Sequence, residues 1–182
     1  GSVTIPPHTR RRVIIDLENY YTAYPQVTLS GGAGSLLRLH WAEALFQEAN
    51  TWRAPKGNRD EIEGKFFLGQ GDTFLSDGVR HTYDTLWWEA GRYIELLVET
   101  DAEPLTIESL ALREARYPLE MESAFKASDA SLERVLPIFV RGLQMCANET
   151  YFDCPYYEEM MYTADTRLEV LVVKHVLESL VL

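Results

Sequence analysis

Carboxylates and aromatic side chains are concentrated between residues 149 and 169. The carboxylates are Asp153, Glu158, Asp165 and Glu169, and the aromatic residues are Tyr151, Phe152, Tyr156, Tyr157 and Tyr162. Carboxylates held near one another can push each other's pKa values apart, so that one keeps a proton to donate while others accept hydrogen bonds. Flat aromatic faces with polar edges suit sugar rings. These residue types favour acid–base chemistry on a saccharide.

A helix that begins near Pro155 and continues to about Leu180 would position this set. At about 100° per residue, one stripe of that helix contains Glu158, Tyr162, Asp165 and Glu169. Asp153 precedes the first turn, where free backbone N–H groups and the helix dipole favour a carboxylate. Spacing alone favours an ordinary surface helix, in which Asp153 is only a cap and the other carboxylates face water.

A second helical pattern precedes this segment. Apolar residues recur at helical spacing from Leu132 to Leu143, after a possible N-cap at Ser128 or Asp129. Pro137 conflicts with a regular helix and predicts a kink or a late start. The change from strand to helix patterns falls near Tyr117-Pro118.

Residues 12 to about 117 are typical of short antiparallel strands. Strand patterns cover residues 12–17, 24–30, 36–46, 66–68, 74–75, 86–99 and 105–112. Residues 53–60, with Pro55 and Gly57, predict an exposed loop. The fold class is therefore mainly β plus α: a jelly-roll-like antiparallel β-sandwich followed by helices.

Composition excludes several classes of function. The 182 residues carry a net charge of −11, which disfavours nucleic acid as a partner. No apolar run is long enough to span a membrane. Two cysteines are too few for a disulfide scaffold, and a reducing cytoplasm is expected. The histidines have no partners at metal-ligand spacing, so we expect no metal and no cofactor.

Five stretches of the chain resemble one enzyme family. Residues 149–158 contain Asp153-Cys-Pro-Tyr-Tyr-Glu158 and are followed by Tyr162-Thr-Ala-Asp-Thr-Arg167. The other stretches are residues 56–65, Leu86-Trp-Trp88, Gly91-Arg-Tyr-Ile94 and Tyr117-Pro118. Together and in this order they resemble bacterial α-L-rhamnosidases of glycoside hydrolase family 78.

The resemblance implies an inverting glycosidase whose active site lies in an (α/α)6 barrel after β-sandwich domains. By position, Glu158 matches the proposed general acid, and Asp153 and Asp165 match carboxylates that bind rhamnose hydroxyls. We place Tyr162 with the substrate-binding residues. Tyr157 stands where many members have Arg, which alters the charge beside the acid, and Ala164 stands where Gly is common.

The same resemblance implies that the site is incomplete. The catalytic base of the family is a Glu expected beyond residue 182. We assign residues 3–117 to the sandwich and residues 118–182 to the first helices of a truncated barrel. The chain is expected to be a fragment that is inactive alone and that associates with itself through exposed apolar helix faces.

Two other functions remain open. The sandwich could be a non-catalytic carbohydrate-binding or structural module whose exposed tryptophans stack on sugars. The candidates are Trp41, Trp52, Trp87 and Trp88, although each is expected to pack in the core. A related (α/α)6 glycosidase with another sugar specificity is the third possibility.

Overall fold

A computed structural model describes residues 1–51, 53–119, 121, 124 and 126–176. It forms two compact units, Gly1–Ala115 and a second that begins at Arg116. The strands named below lie in the first unit and the helices in the second. The division lies close to the boundary proposed at residue 118.

The first unit consists of antiparallel strands. Their bounds are β1 Val3–Ile5, β2 Arg10–Gly31, β3 Leu36–Ala42, β4 Gln70–Leu75, β5 Gly78–Asp84, β6 Glu89–Glu99 and β7 Leu105–Glu114. The sequence does not predict β1 or β5, because β5 is exposed along most of its length and lacks a buried face. The strand predicted at residues 66–68 is wrong, since Phe66 makes only an isolated bridge to Phe46.

β2 belongs to two sheets. Residues 10–23 of β2 pair with β6, whereas residues 23–31 pair with β7 and, from Gln26 onward, with β5. The seven strands among the described residues are all hydrogen-bonded into one continuous sheet, and β2 divides it into two layers, here called the first and the second sheet. The first sheet continues from β6 through β3 to β4, and the second ends with β1 beside β7. The β2–β6 register shifts between Asp16 and Tyr21, where Glu18 has a φ of 62°. Such irregularities bend a strand, and this one lies just before β2 changes sheets.

The core lies between these two sheets. Fully buried side chains on the first sheet include Leu37, Leu39, Trp41 and Ile94. A cavity of about 460 Å³ remains between the sheets, lined by Val13 and Val98 on one side and Ile107 on the other. This arrangement is an antiparallel β-sandwich, so the predicted fold class of a mainly β chain followed by helices is confirmed.

The long loop between β3 and β4 is fastened to β6. Tyr93 is buried, and its hydroxyl donates a hydrogen bond of 2.7 Å to the carbonyl of Arg59 in the loop. Arg92 donates two bonds of 2.8 Å to the carboxylate of Asp16 and a further one to Asp60 of the loop. A two-pronged guanidinium–carboxylate contact is directional as well as strong, so Arg92 fixes the loop to β2.

In the second unit, α1 spans Ala130–Cys146. Asp129 is its N-cap and accepts a hydrogen bond of 2.8 Å from the backbone N–H of Ser131, as the sequence predicts. The late start that Pro137 predicted is wrong, because the helix begins before it and includes it. A proline there lacks the N–H that would bond the carbonyl four residues earlier.

The second helix, α2, spans Thr163–Val176, so the predicted start near Pro155 is wrong. Residues 177–182, which include the predicted end near Leu180, lie outside the described part of the chain. Partly buried side chains of α2, Val172 and Val173, pack against a small cluster made by Leu119, Leu143 and Ala147.

Candidate active site

A closed loop at residues 153–160, here called the 153–160 loop, joins α1 to α2. The backbone N–H of Asp153 donates to the carbonyl of Met160 at 2.9 Å, and the N–H of Met160 donates to Asp153 Oδ1 at 3.0 Å. Within the loop, the N–H of Glu159 donates to the carbonyl of Cys154, and Glu159 has a φ of 54°. These bonds replace the first turns of the predicted helix.

Asp153 is held as a carboxylate. Partial burial alone would raise its pKa, but hydrogen bonds from the backbone N–H of Met160 and from Cys154 outweigh burial and lower it. The group accepts hydrogen bonds from the backbone, as the capping interpretation required, although it closes a loop rather than starting a helix.

Glu158 and Tyr162 are in direct contact. The Tyr162 hydroxyl donates a hydrogen bond of 2.6 Å to Glu158 Oε2, and both side chains are exposed. The carbonyl of Tyr162 accepts from the N–H of Thr166 at 2.9 Å, which starts α2. The single helical stripe predicted for these residues is therefore wrong, because Glu158 lies in the 153–160 loop and only Asp165 and Glu169 lie on α2.

The carboxylates predicted for the site raise the pKa of the Tyr162 hydroxyl. The hydrogen bond to Glu158 is the main reason why the pKa of Tyr162 is raised, and the charges of Asp153 and Asp165 raise it further. The direct contact in this group is the hydrogen bond between Tyr162 and Glu158, and the charges of Asp153 and Asp165 act on the same hydroxyl.

Glu169 is a further carboxyl of this group. Burial, with the nearby charges of Asp165 and Asp153, raises its pKa to about 7. Its Oε2 is buried and has no hydrogen-bond partner among the described residues. The sequence placed Glu169 one turn after Asp165 but assigned it no role, since the burial that perturbs it depends on α1 packing beside α2.

Glu169 and Cys146 also line a groove between α1 and α2. The groove has a volume of about 830 Å³, and the rest of its lining is apolar, including Phe139 and Leu168. Burial raises the pKa of the Cys146 thiol to about 12. A thiol with so high a pKa is a poor nucleophile at neutral pH, so Cys146 is a packing residue.

The tryptophans divide between core and surface. Trp41 and Trp88 are buried, which confirms their expected place in the core. Trp87 is 56% exposed, so the same expectation is wrong for it. Its ring contacts that of Trp88, with centroids 5.8 Å apart. Trp52 lies outside the described residues.

The described residues contain no group of three or more His, Cys, Asp or Glu side chains placed to hold a metal ion. Neither helix in the described part of the chain has the length and apolar character to cross a membrane.

Comparison with known proteins finds similarity in structure. No family model matches the sequence, and no curated protein matches it. The fold is similar to that of the family 78 rhamnosidase of Bacillus sp. GL1, with a TM-score of 0.72 and 21% identity over 97% of this chain and 17% of that one. It is also similar to a rhamnosidase from Klebsiella oxytoca solved with rhamnose bound, with a TM-score of 0.71 and 21% identity over 94% of this chain and 34% of that one.

The chain thus spans only part of each rhamnosidase that it matches. At this identity the similarity shows the fold: a β-sandwich followed by the start of a helical domain.

Proposed function

We propose that this chain is part of an inverting α-L-rhamnosidase and carries one side of its active site. The observation that supports the proposal is the hydrogen bond from the Tyr162 hydroxyl to Glu158, with the charges of Asp153 and Asp165 acting on the same hydroxyl. This contact occurs in a fold shared with two rhamnosidases.

In the proposed reaction Glu158 is the general acid and protonates the glycosidic oxygen as the bond to the anomeric carbon breaks. Tyr162 donates to Glu158 and orients its carboxyl group. Asp153 and Asp165, with Tyr162, bind rhamnose hydroxyls. Asp153 suits this role because an ionised carboxylate is a strong acceptor of hydroxyl hydrogen bonds.

Inversion also needs a base that activates water on the opposite face of the sugar, roughly 6.5–9.5 Å from the acid. By the family resemblance we place that base beyond residue 182. Residues 1–182 are then inactive alone, and the unit from Arg116 onward is the beginning of an (α/α)6 barrel. The unlinked cysteines Cys146 and Cys154 support a reducing, cytoplasmic location.

Hydrolysis of aryl α-L-rhamnosides by a longer protein that includes this sequence tests the role of Glu158. We expect Glu158→Gln to lower kcat about 10²–10⁴-fold for a poor leaving group. The loss should shrink for a dinitrophenyl leaving group, which departs without protonation. Glu149→Gln, an exposed neighbour, is the matched control and should keep full activity.

Three results would count against the proposal. If Glu158→Gln lowered kcat equally for both leaving groups, Glu158 would not be the general acid. Faster turnover of another aryl glycoside would favour a related glycosidase of different specificity. Turnover by residues 1–182 that disappears in Glu158→Gln would contradict the incompleteness of the site.

A second candidate function, a carbohydrate-binding module in the sandwich, is favoured by the exposure of Trp87 and of its neighbour Leu86. An exposed indole can stack on a sugar ring. Saccharide binding that is lost in Trp87→Ala and is unaffected by Asp153→Asn and Asp165→Asn would support the module instead.

A further inference from the structure

A cationic cleft lies on the outer face of the first sheet, away from the 153–160 loop in sequence. Arg10 and Arg12 alternate on β2, and Arg12 pairs with Leu97 of β6. Arg38 of β3 pairs with the same Leu97 from the other side. Since side chains alternate between the faces of a sheet, the three arginines share the face of Leu97.

The carboxylates on this face do not match the guanidinium groups in number. Glu95, whose side chain is 3% exposed, contacts Arg12 at 2.5 Å and also Arg38. One negative charge therefore serves two positive charges. Arg10 contacts Glu99 at 2.9 Å and is more exposed than Arg12. The face keeps an excess of positive charge in a chain whose net charge is −11.

Arg10 and Arg12 open into a cleft of about 600 Å³, within the roughly 300–1,000 Å³ typical of small-molecule sites. The loop between β3 and β4 forms its other wall with Lys65 and Phe66. Phe66 is 46% exposed. Lys65 donates to the carbonyls of Lys56 and Asn58, so it shapes the wall, and the arginines provide the accessible donors.

We propose that this cleft binds a sugar ring that carries a carboxylate, a uronate residue of a saccharide. Guanidinium groups form paired, charge-assisted hydrogen bonds with carboxylates. The exposed ring of Phe66 offers an apolar face to the C–H side of a pyranose. A neutral sugar would leave the excess positive charge without a partner.

The choice of a saccharide rests on the proposed function, whereas the need for an anion rests on the arginines alone. The two sites have no residue in common. Binding in the cleft requires no hydrolysis, so its failure would leave the proposed role of Glu158 untouched.

The test is an NMR titration of residues 1–182 with methyl β-D-glucuronide and, in parallel, methyl β-D-glucoside. We expect the glucuronide to bind about tenfold more tightly and to shift the amide signals of residues 10–12 and 97. Arg10→Gln should weaken glucuronide binding by a similar factor without unfolding the sheet, because Arg10 is exposed. Arg80→Gln, an exposed arginine on β5 paired with Glu108, is the matched control and should bind normally.

Phe66→Ser provides a second variant, which should weaken binding of the glucuronide but not of sodium sulfate. Glu158→Gln should bind the glucuronide as the unaltered chain does. Equal affinity for the glucoside, undiminished binding in Arg10→Gln, or sulfate binding as tight as that of the glucuronide would each overturn the proposal.

Discussion

The carboxylate of Asp153 sets the geometry at the entrance to α2. The carboxylate accepts from the N–H of Met160, and the backbone N–H of Asp153 donates to the Met160 carbonyl, so that this reciprocal pair closes the eight residues 153–160 into a loop. A hydrogen bond to a charged group contributes about 1.5–3 kcal/mol when it is sheltered and less when it is partly exposed. Asp153 therefore positions the loop that carries Glu158, in addition to any contact with a sugar.

Asp153→Ala should loosen this loop. Without the acceptor, we expect hydrogen exchange of the Met160 amide to accelerate about tenfold, which corresponds to about 1.4 kcal/mol. Because the pKa of Asp153 is lowered, its contribution is present above the ordinary value of 3.8 and is lost as the pH falls through its pKa in the folded protein. Exchange in the unaltered chain should accelerate at that low pH, after correction for the intrinsic rate.

Asp165→Asn is the control for that measurement, because Asp165 is exposed on α2 and should leave Met160 protected. Asp153→Asn should have an intermediate effect, since its amide oxygen can still accept. Unchanged Met160 exchange in Asp153→Ala would mean that the loop is held by other contacts.

On α2, one face combines carboxyl groups with apolar packing. Glu169 lies one turn after Asp165 and lines the groove that α1 forms with α2. Burial and like charge both oppose its ionisation. Protonated Glu169 therefore stabilises the packing of α2, and this stabilisation is lost when Glu169 ionises.

Glu169→Gln tests this linkage. A carboxyl whose pKa is raised stabilises the fold fully below its ordinary value of 4.5, and that contribution is lost as the pH rises through about 7. With allowance for solvent screening, we expect the variant to match the unaltered chain at pH 4.5 and to exceed its stability by about 1 kcal/mol at pH 8. Urea unfolding monitored by circular dichroism at both pH values provides the measurement.

The exposed Glu149→Gln is again the matched control, and it should shift stability equally at the two pH values. If the stability of Glu169→Gln depends on pH as that of the unaltered chain does, the proton on Glu169 does not stabilise α2.

Local patterns account for α1 and not for the start of α2. The apolar spacing and the acceptor at Asp129 are both local signals, and both hold. Pro155 suits a first helical turn, but the competing bond from Met160 to Asp153 spans seven residues and has no periodic signature. Glu158 and Tyr162 are neighbours even though the predicted helix start is wrong, because the 153–160 loop brings the two side chains together.

In the described part of the chain, both helices expose apolar side chains to solvent. Ile138 is 68% exposed, and Phe139 and Leu168 are also exposed. Patches of this kind commonly mark interfaces. The expected self-association of this chain stays a prediction.

Sedimentation velocity over a concentration series measures that association. We expect oligomers to grow with concentration, and Ile138→Glu to reduce them by placing a charge on the patch. Val79→Glu, a change at a similarly exposed position on β5, should leave the oligomers unchanged. A monomer at all concentrations would refute the expectation.

At the scale of the whole molecule, the β-sandwich class could be predicted from the sequence, but the pairing of its strands could not. Residues 12–17 and 24–30 each show a strand pattern, and both lie in β2. The assignment of one strand to two sheets depends on partners in β5, β6 and β7, more than forty residues away in the chain. No local periodicity encodes such pairings.

The double membership of β2 also has a consequence for biosynthesis. β2 emerges from the ribosome first among its partners, and β7, its last neighbour, is complete only about 80 residues later. At about 5–20 residues per second, the nascent strand waits roughly 4–16 s with its apolar residues uncovered. Until β7 is complete, the half of β2 that pairs with it stays uncovered on that edge and is open to pairing with another chain, and slower translation would lengthen that exposure.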